Sequence, residues 1–128
     1  MIKDLENAIG YQFRNISLLQ NALAHSSYAN ERYHNSLASN ERLEFLGDSV
    51  LGMVVAEYLY KQFPDRPEGE LTKKRASLVC EPSLAYCARD FELEKYILLG
   101  KGEEMTGGRN RDSIIADVME AVIGAIFL

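Results

Sequence analysis

Asn40-Glu41-Arg42-Leu43-Glu44-Phe45-Leu46-Gly47-Asp48-Ser49-Val50-Leu51 is the stretch that decides the fold. Its apolar residues recur at helical rather than strand spacing. Glu41, Glu44 and Asp48 stand at i, i+3 and i+7, so at about 100° per residue they fall within an arc of roughly 60°. Leu43, Leu46, Val50 and Val54 fall on the opposite side, giving an acidic face and a core face. Residues 49–60 are apolar almost all round, the pattern of a helix buried on most sides. A helix over residues 40–62, about 33 Å long, is capped by Asn40 or Ser39. Phe63-Pro64-Asp65-Arg66-Pro67 ends it, because two prolines cannot continue a helix. Like charges one turn apart repel, so three carboxylates on one face lower stability unless a cation offsets them.

A second acidic pair lies at the far end of the chain. Ser113-Ile114-Ile115-Ala116-Asp117-Val118-Met119-Glu120-Ala121-Val122-Ile123-Gly124-Ala125-Ile126-Phe127-Leu128 is apolar on every helical face except at Asp117 and Glu120. These two share a face. A buried carboxylate without compensation costs several kcal/mol; a cation, a basic partner or protonation relieves it. If the two acidic faces meet, they form an all-oxygen site of five carboxylates, which suits Mg²⁺ or Mn²⁺. Neither His25 nor His34 nor a cysteine stands at ligand spacing, which argues against zinc. Acidic Mg²⁺ sites activate water and stabilise phosphate charge in phosphodiester cleavage. Spacing alone points to a metal centre and only weakly to a nuclease.

Outward from these two segments the periodicity stays helical. Short helices fit residues 3–9 and 16–24, with a polar loop over 26–39. Further helices fit 70–80 and 82 to about 90, with Pro82 in a first turn. Residues 91–102 carry no clear pattern, 107–111 form a glycine-rich loop, and Asp112 or Ser113 caps the last helix. No repeat, linker or alternating strand is present. Together these features describe a single all-α domain over residues 1–128. The last helix breaks off at Leu128 without a polar exit, which suggests a piece of a longer protein.

With 47% apolar residues the chain can bury a core of roughly two thirds of its unfolded surface. No signal peptide precedes it, and no apolar run reaches the ~18–20 residues of a membrane helix. A soluble, cytoplasmic protein without membrane attachment is expected. Cys80 and Cys87 fit neither a disulfide framework nor a metal motif and are read as reduced core thiols. The tyrosines and phenylalanines are dispersed and read as core. A net charge of −5 argues against a nucleic-acid binder. The distribution of the acids, gathered on two helices, changes that reading.

The run from Asn40 to Leu51 resembles the signature of the ribonuclease III family. Arg111-Asp112-Ser113-Ile114-Ile115-Ala116-Asp117-Val118-Met119-Glu120-Ala121-Val122-Ile123-Gly124-Ala125 is a second match. Ala24-His25-Ser26-Ser27-Tyr28 and Pro67-Glu68-Gly69-Glu70 are smaller ones, in the family's order along nearly the whole chain. The resemblance implies an all-helical, two-fold homodimeric endonuclease domain of bacterial type. It implies hydrolysis of double-stranded RNA to 5′-phosphate and 3′-hydroxyl ends, in ribosomal and messenger RNA processing, with Mg²⁺ (Mn²⁺ as substitute) and no organic cofactor. By the same resemblance Glu44, Asp48, Asp117 and Glu120 bind metal, Asp48 and Glu120 being the most critical for catalysis, while Glu41 and Glu68 assist. The double-stranded-RNA-binding domain that usually follows in bacterial members is not in this chain, and Ser39 stands where the family often has histidine.

Phe45 falls on the acidic side of its helix. It packs either on a neighbouring helix of its own chain or, as the resemblance implies, into a socket on a second subunit. Lys73, Lys74, Arg75, Arg109 and Arg111 are candidate phosphate contacts, with a solvated helix face as the plain alternative. Duplex RNA is recognised by shape and backbone, so no base-reading residue is expected. His25 is read as a hydrogen-bonded structural residue and His34 as surface. A non-catalytic helical module for RNA binding or assembly is the competing function. A di-iron bundle is a third, but it wants Glu-x-x-His pairs that neither histidine supplies.

Overall fold

The computed structural model describes residues 1–128, and the element order is helical throughout. The helices are α1 (Ile2–Ile9), α2 (Ile16–Leu23), α3 (Ser26–Tyr33), α4 (Glu41–Gln62), α5 (Glu68–Val79), α6 (Glu81–Asp90), α7 (Lys101–Met105) and α8 (Asp112–Phe127). Short 3-10 turns at Ser36–Ala38, Leu93–Tyr96 and Gly108–Asn110 link them. The only strand-like feature is an isolated parallel bridge between Ala24 and Leu98.

α8 is the central element. Ile115, Val118, Ala121, Val122 and Ala125 are buried on it and pack with Leu19, Leu23, Leu43, Ala85, Ala88, Leu93 and Ile97 from the surrounding segments. A helix apolar on nearly every face can only sit inside. α4 crosses α8 with almost no separation. A Cβ on Gly47 would lie 1.7 Å from the carbonyl oxygen of Glu120, and one on Gly124 2.5 Å from that of Leu43. Two glycines therefore let the backbones touch where any side chain would hold them apart.

The start of α4 is fixed by polar groups. The buried Asn40 donates through its side chain to the carbonyl of Ala22 (3.0 Å), and its backbone N–H to that of Ala24 (2.8 Å). Ser39 Oγ accepts the N–H of Glu41 (3.3 Å), while Asn40 stands at the N-cap of α4 and ties it to α2. Asn21 adds a bond from its amide nitrogen to the carbonyl of Ala38 (3.0 Å).

The structure corrects the sequence expectation in several places. Residues expected as a loop from 26 contain α3, whose mostly polar residues leave only Ala29 buried and so give no apolar stripe. His25 caps it, and Arg32 lies over the Tyr28 ring at 5.6 Å. α5 begins at Glu68, two residues before the expected start. The second half of α4 is not enclosed: Val54 is 52% exposed, Met53, Tyr58 and Tyr60 more so, and only Leu59 is buried. It projects beyond α8 with α5 along one side. Tyr33, Tyr86 and Phe127 are likewise exposed, so the aromatic residues are not all core. Cys80 is half-buried and Cys87 exposed; both are free thiols rather than core residues.

Candidate metal centre

The close crossing at Gly47 and Gly124 sets the acidic face of α4 against the two acids of α8. Carboxylate oxygens of Glu44, Asp117 and Glu120 lie within 4.8 Å of one another. Asp48 adjoins Glu120, and Glu44 adjoins Asp117. Glu41, Phe45, His25, Ser26 and Asn40 complete the wall of a hollow of about 440 Å³ around the acids. Residues 76 positions apart along the chain thus meet, as from Glu44 to Glu120.

Without a cation this cluster holds protons. Burial, then the neighbouring Asp117, Glu41 and Asp48, pushes the Glu44 carboxyl up to about 7. Burial and the adjoining Asp48, followed by Glu44 and Asp117, push Glu120 up to about 8. Burial also raises Asp117, against a hydrogen bond from Glu44 that favours its charged form. Half-buried carboxylates that prefer protonation to mutual repulsion form a donor set for a hard divalent cation. The residues present fit such an ion: the acids are all oxygen donors, they converge, and no Lys or Arg side chain lines the hollow to neutralise them.

The remaining candidates lie elsewhere. Glu68, on α5, faces a separate hollow with Ala56, Leu59, Tyr60, Leu71, Thr72 and Arg75, and accepts from the Thr72 hydroxyl. It is not part of this chain's acidic cluster. Phe45 is 78% exposed, which rules out packing on a helix of its own chain. Lys73 is exposed on α5, Lys74 lies over the Phe63 ring at 4.7 Å, and Arg75 borders the Glu68 hollow.

Arg109 is engaged inside the fold rather than offered to phosphate. Its Nη1 donates to the carbonyls of Ile97 (2.7 Å) and Glu94 (2.8 Å), and its Nε and Nη2 meet the Glu104 carboxylate. Arg111 is held by Glu103 and by the carbonyl of Thr106 (3.0 Å). Both arginines organise the irregular 94–111 segment, whose unpaired carbonyls the sequence pattern does not reveal.

Sequence reasoning missed Gly47 and Gly124, whose signal is a side-chain gap in otherwise bulky helices, and missed His25, Ser26 and Asn40 as parts of the site wall.

A family profile described as Ribonuclease-III-like matches residues 15–128. Ribonuclease 3 of Caldanaerobacter subterraneus subsp. tengcongensis is 57% identical over 128 residues, all of this chain and 56% of that protein. Ribonuclease 3 of Clostridium tetani is 57% identical over 99% of this chain and 53% of its own length. The chain thus spans about half the length of the curated relatives it matches. Among solved structures, the nuclease domain of ribonuclease III from Campylobacter jejuni, described for flexibility in a region involved in dimer formation, superposes with a TM-score of 0.91. It is 45% identical, over 98% of this chain and 84% of that one. Dicer from Pichia stipitis superposes with a TM-score of 0.61 at 29% identity, over 88% of this chain and 44% of that one. Fold, motifs and relatives agree: the chain belongs to the ribonuclease III family.

Proposed function

We propose that residues 1–128 are the catalytic domain of a cytoplasmic endoribonuclease that hydrolyses phosphodiesters of double-stranded RNA, leaving 5′-phosphate and 3′-hydroxyl ends, in ribosomal and messenger RNA processing. The observation that carries this reading is the convergence of Glu44, Asp48, Asp117 and Glu120 from two helices into one open hollow. These four would hold Mg²⁺, or Mn²⁺ in its place, and Glu41 at the wall assists. A bound divalent ion supplies charge stabilisation at the phosphate oxygens and activation of the attacking water. The protein's own part is to hold the carboxylates still: α8 is locked in the core and α4 is locked onto α8.

The working form is a two-fold homodimer. Phe45, Met53, Val54, Tyr58 and Tyr60 are all exposed on α4, a large apolar area for one chain to leave in water. An apolar hollow of about 630 Å³, lined by Leu18, Leu37, Leu43, Leu46 and Leu128, opens next to Phe45 and suits the partner's Phe45. A two-fold axis makes that exchange mutual. No helix is long and apolar enough to cross a membrane.

The test is incubation with long duplex RNA in Mg²⁺ and then in chelator, with Asp48→Asn alongside. Metal-dependent cutting by the original chain and none by the variant supports the reading; equal cutting by both removes Asp48 from it.

A further inference from the structure

His25 does two things with its two ring nitrogens, and only one of them is structural. Nδ1 accepts the backbone N–H of Ser27 at 3.1 Å and lies 2.8 Å from the Ser27 hydroxyl. That hydroxyl accepts the N–H of Gly100 at 2.9 Å, so its own hydrogen is free for Nδ1. A backbone N–H cannot reverse its role, so Nδ1 carries no proton and the neutral ring must carry it on Nε2. The ring lines the acidic hollow, and Nε2 has no partner within the protein.

The rest of the wall shows why this matters. Glu41, Glu44, Asp48, Asp117 and Glu120 are carboxyls, which offer acceptor oxygens. Phe45 is apolar, and the buried amide nitrogen of Asn40 donates to the Ala22 carbonyl. Nε2–H of His25 and the Ser26 hydroxyl are the side-chain donors left on this wall without a partner in the protein. A phosphodiester entering this hollow otherwise meets carboxylate acceptors and the apolar Phe45 ring.

We propose that His25 Nε2–H is a substrate-binding donor, fixed in that role by Ser27, which takes a backbone phosphate oxygen of the RNA beside the metal site. This rests on the nuclease reading above. It separates the two nitrogens into a structural one and a functional one, and two substitutions separate them chemically. Asparagine carries its polar atoms as many bonds from Cα as Nδ1, and it is a good helix cap. Glutamine carries its amide nitrogen as far out as Nε2.

The experiment measures cleavage of a blunt RNA duplex in Mg²⁺, with melting temperatures, for the unaltered chain, His25→Asn and His25→Gln. A ¹⁵N spectrum of the labelled unaltered chain reads the tautomer. We expect the Nε2–H tautomer. His25→Asn melts like the unaltered chain but has KM raised roughly ten- to hundredfold, the range for one hydrogen bond to a charged group, with kcat changed far less. His25→Gln melts lower yet recovers part of the lost KM. An Nδ1–H tautomer, or His25→Asn cutting with unchanged KM, overturns the proposal and leaves the nuclease reading intact. No cutting by the unaltered chain fails that reading, and this inference with it.

Discussion

The α-carbon of Gly47 faces the carbonyl oxygen of Glu120 so closely that a methyl group there would lie 1.7 Å from it. This contact places the acids. Glu44 and Asp48 flank Gly47 on α4, and Asp117 and Glu120 lie at the same level of α8. The separation of the two backbones therefore sets the separation of the carboxylates.

Gly47→Ala should destabilise the chain by about 1–3 kcal/mol or more, the usual range for overpacking, because the clash is with backbone rather than a movable side chain. It should also spread the cluster and weaken metal binding. Thermal melts with and without Mg²⁺ check both effects. A variant with the original melting temperature and the original response to Mg²⁺ would show that the helices are not held this close.

The raised carboxyls give the metal-free chain a particular pH profile. Glu120 moves from an ordinary 4.5 to about 8 and Glu44 to about 7, so between those values the folded state binds more protons than the unfolded one. Stability from these groups is fully present below about 4.5 and is lost as pH rises through 7 and 8. In chelator, denaturation should show the difference in stability between Glu120→Gln and the original chain growing in the variant's favour over that window. A difference that stays constant from pH 5 to about 8.5 would contradict it.

Divalent metal should reverse the same repulsion. Mg²⁺ at a hundred times its dissociation constant raises stability by about 2.7 kcal/mol when only the folded state binds it. Asp48→Asn should fold, with metal-free stability equal or slightly higher, and respond less to Mg²⁺. A melting temperature that ignores millimolar Mg²⁺ in the original chain would count against a preformed site.

Arg109 should matter for folding rather than RNA affinity. Arg109→Ala leaves the carbonyls of Glu94 and Ile97 without their donor, a loss of roughly 2–6 kcal/mol at about 1–3 per unpaired group. Urea denaturation and duplex-RNA binding, compared on the same preparation, check this. A stable variant with a much shallower salt dependence of RNA binding would return Arg109 to the phosphate backbone.

What the sequence disclosed follows from these particulars. Asp117 and Glu120 interrupt an otherwise apolar helix, so the conflict between burial and charge is visible in the order of residues alone. Glu44 and Asp48 show the same conflict at one-turn spacing. α3 stayed hidden because it buries little more than Ala29 and depends on the His25 cap. Val54 and Tyr60 misled because apolar residues report that something covers them, not which chain supplies the cover. The bonds of Arg109 to the carbonyls of Glu94 and Ile97 were not legible, because a loop arginine beside glycines looks the same whether it holds phosphate or carbonyls.

The exposed Phe45 ring makes its own demand. Phe45→Ala should shift the chain from dimer toward monomer in sedimentation at micromolar concentration while leaving the helical spectrum unchanged. An unchanged dimer, or a monomer before substitution, would contradict the assigned interface.

The most direct measurement is anomalous diffraction from crystals soaked in Mn²⁺. Shared cation binding by acids from α4 and α8 predicts a strong peak within ligand distance of Glu44, Asp48, Asp117 and Glu120. An ordered site with no peak there, or with Mn²⁺ bound to the acids of one helix alone, would contradict it.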